Sequence, residues 1–320
     1  MQAIRNAVAE EFEIVNQLVI AELHSEVALV ESIGHYIIDA GGKRLRPLLV
    51  LLCGKALKGS TQDIAQFAAV VEFIHTATLL HDDVVDISSL RRGRPTANAE
   101  WGNAPSVLVG DFIYSRAFQL MVRMGNMDIM ALMADTTNRI AEGEVLQLER
   151  AGKPDTSEDA YFRIIEQKTA VLFQAATQGA AILANCDQQT QQAAKSYGHH
   201  LGMAFQLIDD VLDYTGDAAA MGKNVGDDLN EGKPTLPLIH AMQHGSVLQK
   251  ELIYNAIESK NSENIAEIII AVNNTGAVEY TKSIALGHRD KAIASIANFA
   301  ECEQTIQMHR LADLAVQRDR

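Results

Sequence analysis

Apolar side chains recur every three to four positions over residues 3–30, 64–85, 107–124 and 161–183, the spacing that gathers them on one face of a helix. Helix-start residues stand near the beginnings of such runs. Thr61 has Asp63 behind it, Pro105 precedes Ser106, Ser157 precedes Glu158 and Asp159, and Asp187 opens a further segment. Pro47 suits the first turn of a helix running to about Lys58 and stopping at Gly59. Clear polar–apolar alternation is absent. The apolar run 268–272 reads either as a strand or as the end of a helix before Asn273 to Gly276. All six prolines lie at or before Pro237, and the rest of the chain, rich in Ala, Ile, Glu and Lys, reads mostly as helix. The expected fold is all-α, a single domain over 1–320. The polar segments 88–103 and 214–234 are its functional loops, on one end.

Composition narrows the class. Hydrophobic residues are 48% and charged residues 21%, which is globular and excludes a disordered or fibrous chain. Asp plus Glu is 41 against 27 Lys plus Arg, a formal charge of −14. That balance argues against nucleic acid as a partner and suits a protein that gathers divalent cations. Cys53, Cys186 and Cys302 are too few and scattered for a disulfide framework or a zinc site, which points to a reducing cytosol. The N-terminus carries acids where a signal peptide needs an apolar stretch, and no apolar run approaches the ~18–20 residues of a membrane span. The expectation is a cytoplasmic protein without an integral membrane segment.

Two short segments concentrate the chemistry. LLHDDVVD holds Asp82, Asp83 and Asp86, and QLIDDVLD holds Asp209, Asp210 and Asp213. Within each, the first and last aspartates share a helix face, where like charges repel. No Lys or Arg inside either segment offsets them, so a bound cation is expected, and hard oxygen donors favour Mg²⁺, Mn²⁺ or Ca²⁺. A lone triplet reads best as a solvated helix end. Two near-identical ones, each closing an apolar helix before a long loop, argue against coincidence. Cations then cluster in few places: Lys43, Arg44 and Arg46 in GGKRLRP before a helix start, Arg91, Arg92 and Arg94 after the first triplet, Lys168 beside Thr169, and Lys223 and Lys233 after the second triplet. Arg44 and Arg94 fit a solvated face equally well. Metal-holding carboxylates with Lys and Arg around them make a site for a diphosphate.

GGKRLRP, LLHDDVVD, RRGRPT, GDFIYSRAFQ, AEGEVLQL, Lys168-Thr169, FQLIDDVLDYTGD and GKNVGDDLNEGKPTLPL, in this order, resemble the motifs of the trans-polyprenyl diphosphate synthases. Within that family the pattern is most similar to the bacterial octaprenyl diphosphate synthases. The likeness runs from about Gly34 to His240 and continues weakly to the terminal AVQRDR. It implies a helical bundle of the isoprenoid synthase type with a central active-site cavity. It also implies Mg²⁺, or Mn²⁺ in its place, on the six aspartates, with Asp82 and Asp86 on one side of an allylic diphosphate and Asp209 and Asp213 on the other. Lys168, Lys223 and Lys233 would hold that diphosphate, with Arg91, Thr169 and Gln206 adding hydrogen bonds. Isopentenyl diphosphate would sit on Lys43, Arg46, His75 and Arg92. By residues alone, His75 is a satisfied core histidine. The implied activity is repeated condensation of isopentenyl diphosphate onto an allylic primer such as farnesyl diphosphate, by a homodimer.

Product length has its own candidates. Ala77 and Thr78 precede Asp82 by five and four residues, on nearly its face of the helix. Both are small where short-chain enzymes of the family place aromatics, so the growing tail should pass. Met121 and Met124, ~16–21 Å beyond Gly110 along the next helix, are candidates for the floor of the tail's path; helical spacing of Met fits core packing as well. A class I terpene synthase would not need the second DDxxD or the Lys43/Arg46 turn. A non-catalytic partner subunit would typically have lost aspartates that are intact here.

Overall fold

The helical periodicity becomes helices almost throughout: α1 (Gln2–Asn6), α2 (Ala9–Glu22), α3 (Ala28–Asp39), α4 (Leu45–Ala56), α5 (Thr61–Val85), α6 (Ala97–Trp101), α7 (Asn103–Met124), α8 (Met127–Arg150), α9 (Glu158–Ile165), α10 (Val171–Leu183) and α11 (Gln188–Thr215). Further helices span Asp227–Asn230, Leu236–His244, Val247–Ser259, Ile265–Asn274, Ala277–Ser295 and Glu303–Val316. A two-residue hairpin, Leu90–Arg91 against Arg94–Pro95, is the sheet among the described residues. This computed structural model describes residues 1–91, 93–215 and 226–318.

Several expectations are corrected. The run 3–30 is three helices. Val8 leaves the helical region (φ −140°, ψ 29°), and the Glu31 carboxylate accepts the Ser25 N–H, stabilising the break before α3. Ser60, not Thr61, caps α5 by accepting the Asp63 N–H. The left-handed residue ending α4 is Lys58 (φ 60°). Gly59 is there for space instead, because a Cβ on it would lie 2.7 Å from Ile64 Cδ1. Residues 268–272 are helical, with Ile268, Ala271 and Val272 buried and Gly276 (φ 70°) past the end. Although no continuous apolar run reaches membrane length, α5 is long and apolar enough to cross one by length and composition. Most of that stretch is buried inside the protein, as a core helix would be.

The chain forms two compact units. The first comprises Met1–Thr137, Leu172–Gly198 and Ser295–Leu311. Its centre is α5, against which α2, α4 and α7 pack. Phe67, Val70, Val71, Phe73 and Ile74 of α5 are fully buried, as are Leu48, Leu49, Leu51 and Leu52 of α4. Each such side chain contributes about 1.5–3 kcal/mol of transfer free energy. The second comprises Asn138–Val171, His199–Ala294 and Ala312–Arg320. One of its cores holds Val211, Tyr214, Leu229, Ile253, Ile257 and Ile268. The other packs Tyr161 and Ile165 of α9 on Leu207 and Ile208 of α11, with Leu236 and Ile239.

Candidate active site

In the first unit, α5 ends on its acidic triplet. Asp82 and Asp86 are half-buried and Asp83 is fully buried. The chain leaves the helix through Ile87 at φ 54°, a costly conformation for a β-branched residue. The Ser88 N–H donates to the Asp83 carbonyl at 2.9 Å, and Asn98 Nδ2 donates to the carbonyls of Asp83 and Ser88. The hairpin, turned at Gly93 (φ 73°), then brings Arg91 back over the triplet. Its Nε and Nη2 lie 2.8 and 2.6 Å from Asp83 Oδ1. Burial works against that guanidinium, but the hydrogen bond to Asp83 and the charges of Asp83, Asp82 and Asp86 hold its pKa above the ordinary arginine value. The other oxygen, Asp83 Oδ2, is buried with no hydrogen-bond partner among the described residues. Arg91→Ala should therefore destabilise the protein by roughly 2–3 kcal/mol, because it strands a buried carboxylate. Chemical denaturation with an unchanged midpoint would contradict this.

The proposed isopentenyl diphosphate residues are partly brought together in the same unit. Gly41 (φ 75°) and Gly42 (φ 132°) make the turn that an ordinary residue could not, and Arg5 Nη2 fastens it by donating to the carbonyls of Gly42 and Lys43. Arg46 Nη1 is 3.1 Å from His75 Nε2, and its guanidinium lies 4.7 Å from the Phe173 ring centroid. Lys43 is exposed at the turn. Arg44 is not a solvated-face residue: it is half-buried against Glu72 and Asn16. Arg92 lies outside the described residues. Ala77 is fully buried, Thr78 is half-buried with its hydroxyl donating to the His75 carbonyl, and Met121 is buried on α7 with Met124 half-exposed near its end.

The second unit holds a cavity of about 100 Å³. Lys168, Thr169, Gln206, Asp210 and Lys233, all singled out by sequence, line it together. Gln147 and Asp228, which lie in the quoted motifs without an assigned role, and Arg150 and Tyr161, which sequence reasoning passed over, line it too. A relay of hydrogen bonds crosses its wall: Thr169 Oγ1 donates to Gln206 Oε1 (2.9 Å), Gln206 Nε2 to Asp210 Oδ1 (2.8 Å), and Tyr161 OH to Asp210 Oδ2 (2.6 Å). Burial, reinforced by the charges of Asp228 and Asp209, raises the Asp210 carboxyl well above the usual carboxylate range. Lys168 is paired with Glu144 at 2.7 Å and Lys233 with Glu231. Asp209 is half-exposed and lies 2.8 Å from Arg318 Nη2, and Asp213 is fully buried. Arg318 also donates to the Phe205 carbonyl and stacks over that ring at 3.8 Å. Lys223 lies outside the described residues. The cations that no local spacing supplied thus come in part from the chain itself, Arg91 to Asp83 and Arg318 to Asp209.

Among the described residues no three acidic, histidine or cysteine side chains converge as a closed metal cage. Mg²⁺ keeps several waters and is bound by one or two carboxylates plus substrate phosphates. Asp82 with Asp86 at helical spacing and the partnerless Asp83 Oδ2 are hard donors of the fitting kind.

Known proteins share much of this sequence and fold. Octaprenyl diphosphate synthase of Escherichia coli (strain K12) is 48% identical over 321 residues, covering 100% of this chain and 99% of that protein. Octaprenyl diphosphate synthase of Haemophilus influenzae is 50% identical over 95% of this chain and 93% of its own length. The crystal structure of a polyprenyl synthase from Caulobacter crescentus CB15, complexed with calcium and isoprenyl diphosphate, matches with a TM-score of 0.97 at 40% identity, covering 100% of this chain and 98% of that one. The fold is the all-α isoprenoid synthase fold. The polyprenyl synthetase family model matches residues 27–274, and the chain belongs to that family.

Proposed function

We propose that this protein is a long-chain all-trans prenyltransferase that adds isopentenyl diphosphate repeatedly to an allylic diphosphate such as farnesyl diphosphate, with octaprenyl diphosphate as product. The observation that carries the site assignment is the cavity of the second unit, where two lysines, a threonine hydroxyl and an amide meet around a space of about 100 Å³ beside buried carboxylates. Lys168 and Lys233 bind the diphosphate of the allylic substrate, and Thr169 and Gln206 orient it. Arg91 and Lys223 complete that set by resemblance. Asp82, Asp83, Asp86, Asp209, Asp210 and Asp213 are the residues that hold metal. Bound Mg²⁺, or Mn²⁺, supplies neutralisation of the diphosphate charge as it departs. Lys43, Arg46, His75 and Arg92 hold isopentenyl diphosphate.

The chemistry asks for no side-chain nucleophile. The allylic C–O bond breaks and its electron pair leaves with the diphosphate, whose growing charge Lys168 and Lys233 stabilise. The double bond of isopentenyl diphosphate closes the new C–C bond on the allylic cation. A proton is then lost, and the released diphosphate is the base we assign. The whole chain, 1–320, acts as one synthase domain in this reading; the family match runs unbroken through segments of both units. A homodimer is part of it by resemblance to the family. A cytoplasmic location is supported by three free cysteines. The cyclase and non-catalytic readings are not favoured, since both aspartate triplets are intact and the chain is 48% and 50% identical to two octaprenyl diphosphate synthases. Incubation with farnesyl diphosphate, isopentenyl diphosphate and Mg²⁺ should give an octaprenyl product by mass spectrometry. A hydrocarbon, or no extension at all, would refute the reading.

A further inference from the structure

Residues Glu166–Ala170 form a π turn between α9 and α10, closed by the Val171 N–H donating to the Glu166 carbonyl. Such turns are rare and bulge the backbone relative to an α-helix. The residues within it include Lys168 and Thr169, neighbours in sequence that both line the cavity of the second unit. One face of α8 meets this turn at successive points. Arg139 Nη2 pairs with Glu166 Oε1 at 3.0 Å, and Glu144 Oε2 takes the Lys168 ammonium at 2.7 Å. Between them stands Gly143, fully enclosed in a helix interior where glycine is the poorest ordinary residue. Its φ does not require glycine; its surroundings do. A Cβ on Gly143 would lie 2.8 Å from the Lys168 backbone nitrogen, 2.8 Å from Gln167 Cβ and 3.0 Å from the Gln167 carbonyl carbon. Those are backbone atoms and a Cβ, which cannot swing aside as a side-chain tip does. Gln147 and Arg150, further along α8, line the same cavity.

We propose that Gly143 is a positioning residue of the diphosphate site: the bare backbone of α8 at this point is what lets the π turn seat Lys168 and Thr169 on the cavity wall. The inference rests on reading that cavity as the diphosphate site. A methyl group at 143 displaces the turn by some tenths of an ångström, and the ammonium of Lys168 and the hydroxyl of Thr169 move with it. Hydrogen bonds to an anion are steep in distance, so affinity falls before the fold does.

The test is calorimetric titration of the full-length protein with inorganic diphosphate in the presence of Mg²⁺. Gly143→Ala should weaken binding about tenfold. The KM for the allylic diphosphate should rise with it, and the KM for isopentenyl diphosphate should stay unchanged. A variant with a lower Tm and unchanged diphosphate affinity would overturn the proposal and leave Gly143 a packing residue. Lys168→Ala is the reference. If it also leaves the affinity unchanged, the reading of the cavity falls; if it weakens binding while Gly143→Ala does not, only the role of Gly143 falls. Should Gly143→Ala fail to fold, Arg139→Ala releases the Glu166 end of the turn without adding a side chain. It should weaken diphosphate binding about threefold, and unchanged affinity there would equally overturn the proposal.

Discussion

Replacing Asp82 by alanine should lower kcat by roughly 10²–10³-fold, the scale on which removing a charge-stabilising contact from a transition state is felt, and Asp209→Ala should do the same. Asp82 is the cleaner of the two experiments. It is half-buried on the last turn of α5 and its neighbour Asp83 keeps Arg91, so the local fold survives the change. Asp209→Ala also takes the carboxylate from Arg318, whose side chain is only 10% exposed, so a loss of stability accompanies the loss of turnover. Separating the two requires the Mg²⁺ dependence. A metal-holding role raises the Mg²⁺ concentration for half-maximal rate in both variants, whereas damage to packing alone leaves it in place. Near-normal turnover in either folded variant would defeat the assignment of its triplet to metal.

Ala77→Tyr should convert a long-chain product into short ones. Ala77 lies ~7.5 Å along α5 from Asp82 at 1.5 Å per residue, one turn and a half deeper into the first unit, and it is fully buried. A phenol ring there blocks whatever passes along that face. Thr78 beside it is restrained by its hydrogen bond to the His75 carbonyl, so the obstruction cannot easily be relieved by a shift of that side chain. Inserting the ring into a packed helix costs about 1–3 kcal/mol, which a Tm measurement registers, and the product mass is then read on protein known to be folded. Unchanged product length would refute the placement of the tail along α5. Met121→Ala asks the complementary question at α7, where the side chain is 1% exposed: longer products support a floor there, and an unaltered distribution leaves it core packing.

Periodicity and spacing are local properties, and what depends on them was legible in the chain. Helices α5, α7 and α10 follow from apolar residues at three- and four-residue spacing, and the paired aspartates follow from the same geometry. Motif order pointed to the chemistry of a diphosphate, and the structure gathers Lys168, Thr169, Gln206, Asp210 and Lys233 around one cavity. Tertiary packing decided the rest. Arg91 and Arg318 neutralise aspartates that no neighbour in sequence could reach. Tyr161 enters the cavity from an element whose own pattern carries no functional mark. The π turn under Lys168 is invisible to a 3.6-residue period, because a single inserted residue leaves the apolar stripe on either side intact. Gly143 reads as a weak point in a helix until the backbone of Gln167 and Lys168 is found pressed against it. A sequence records which side chains share a face of one helix; which backbone another helix brings against that face is fixed only when the elements pack.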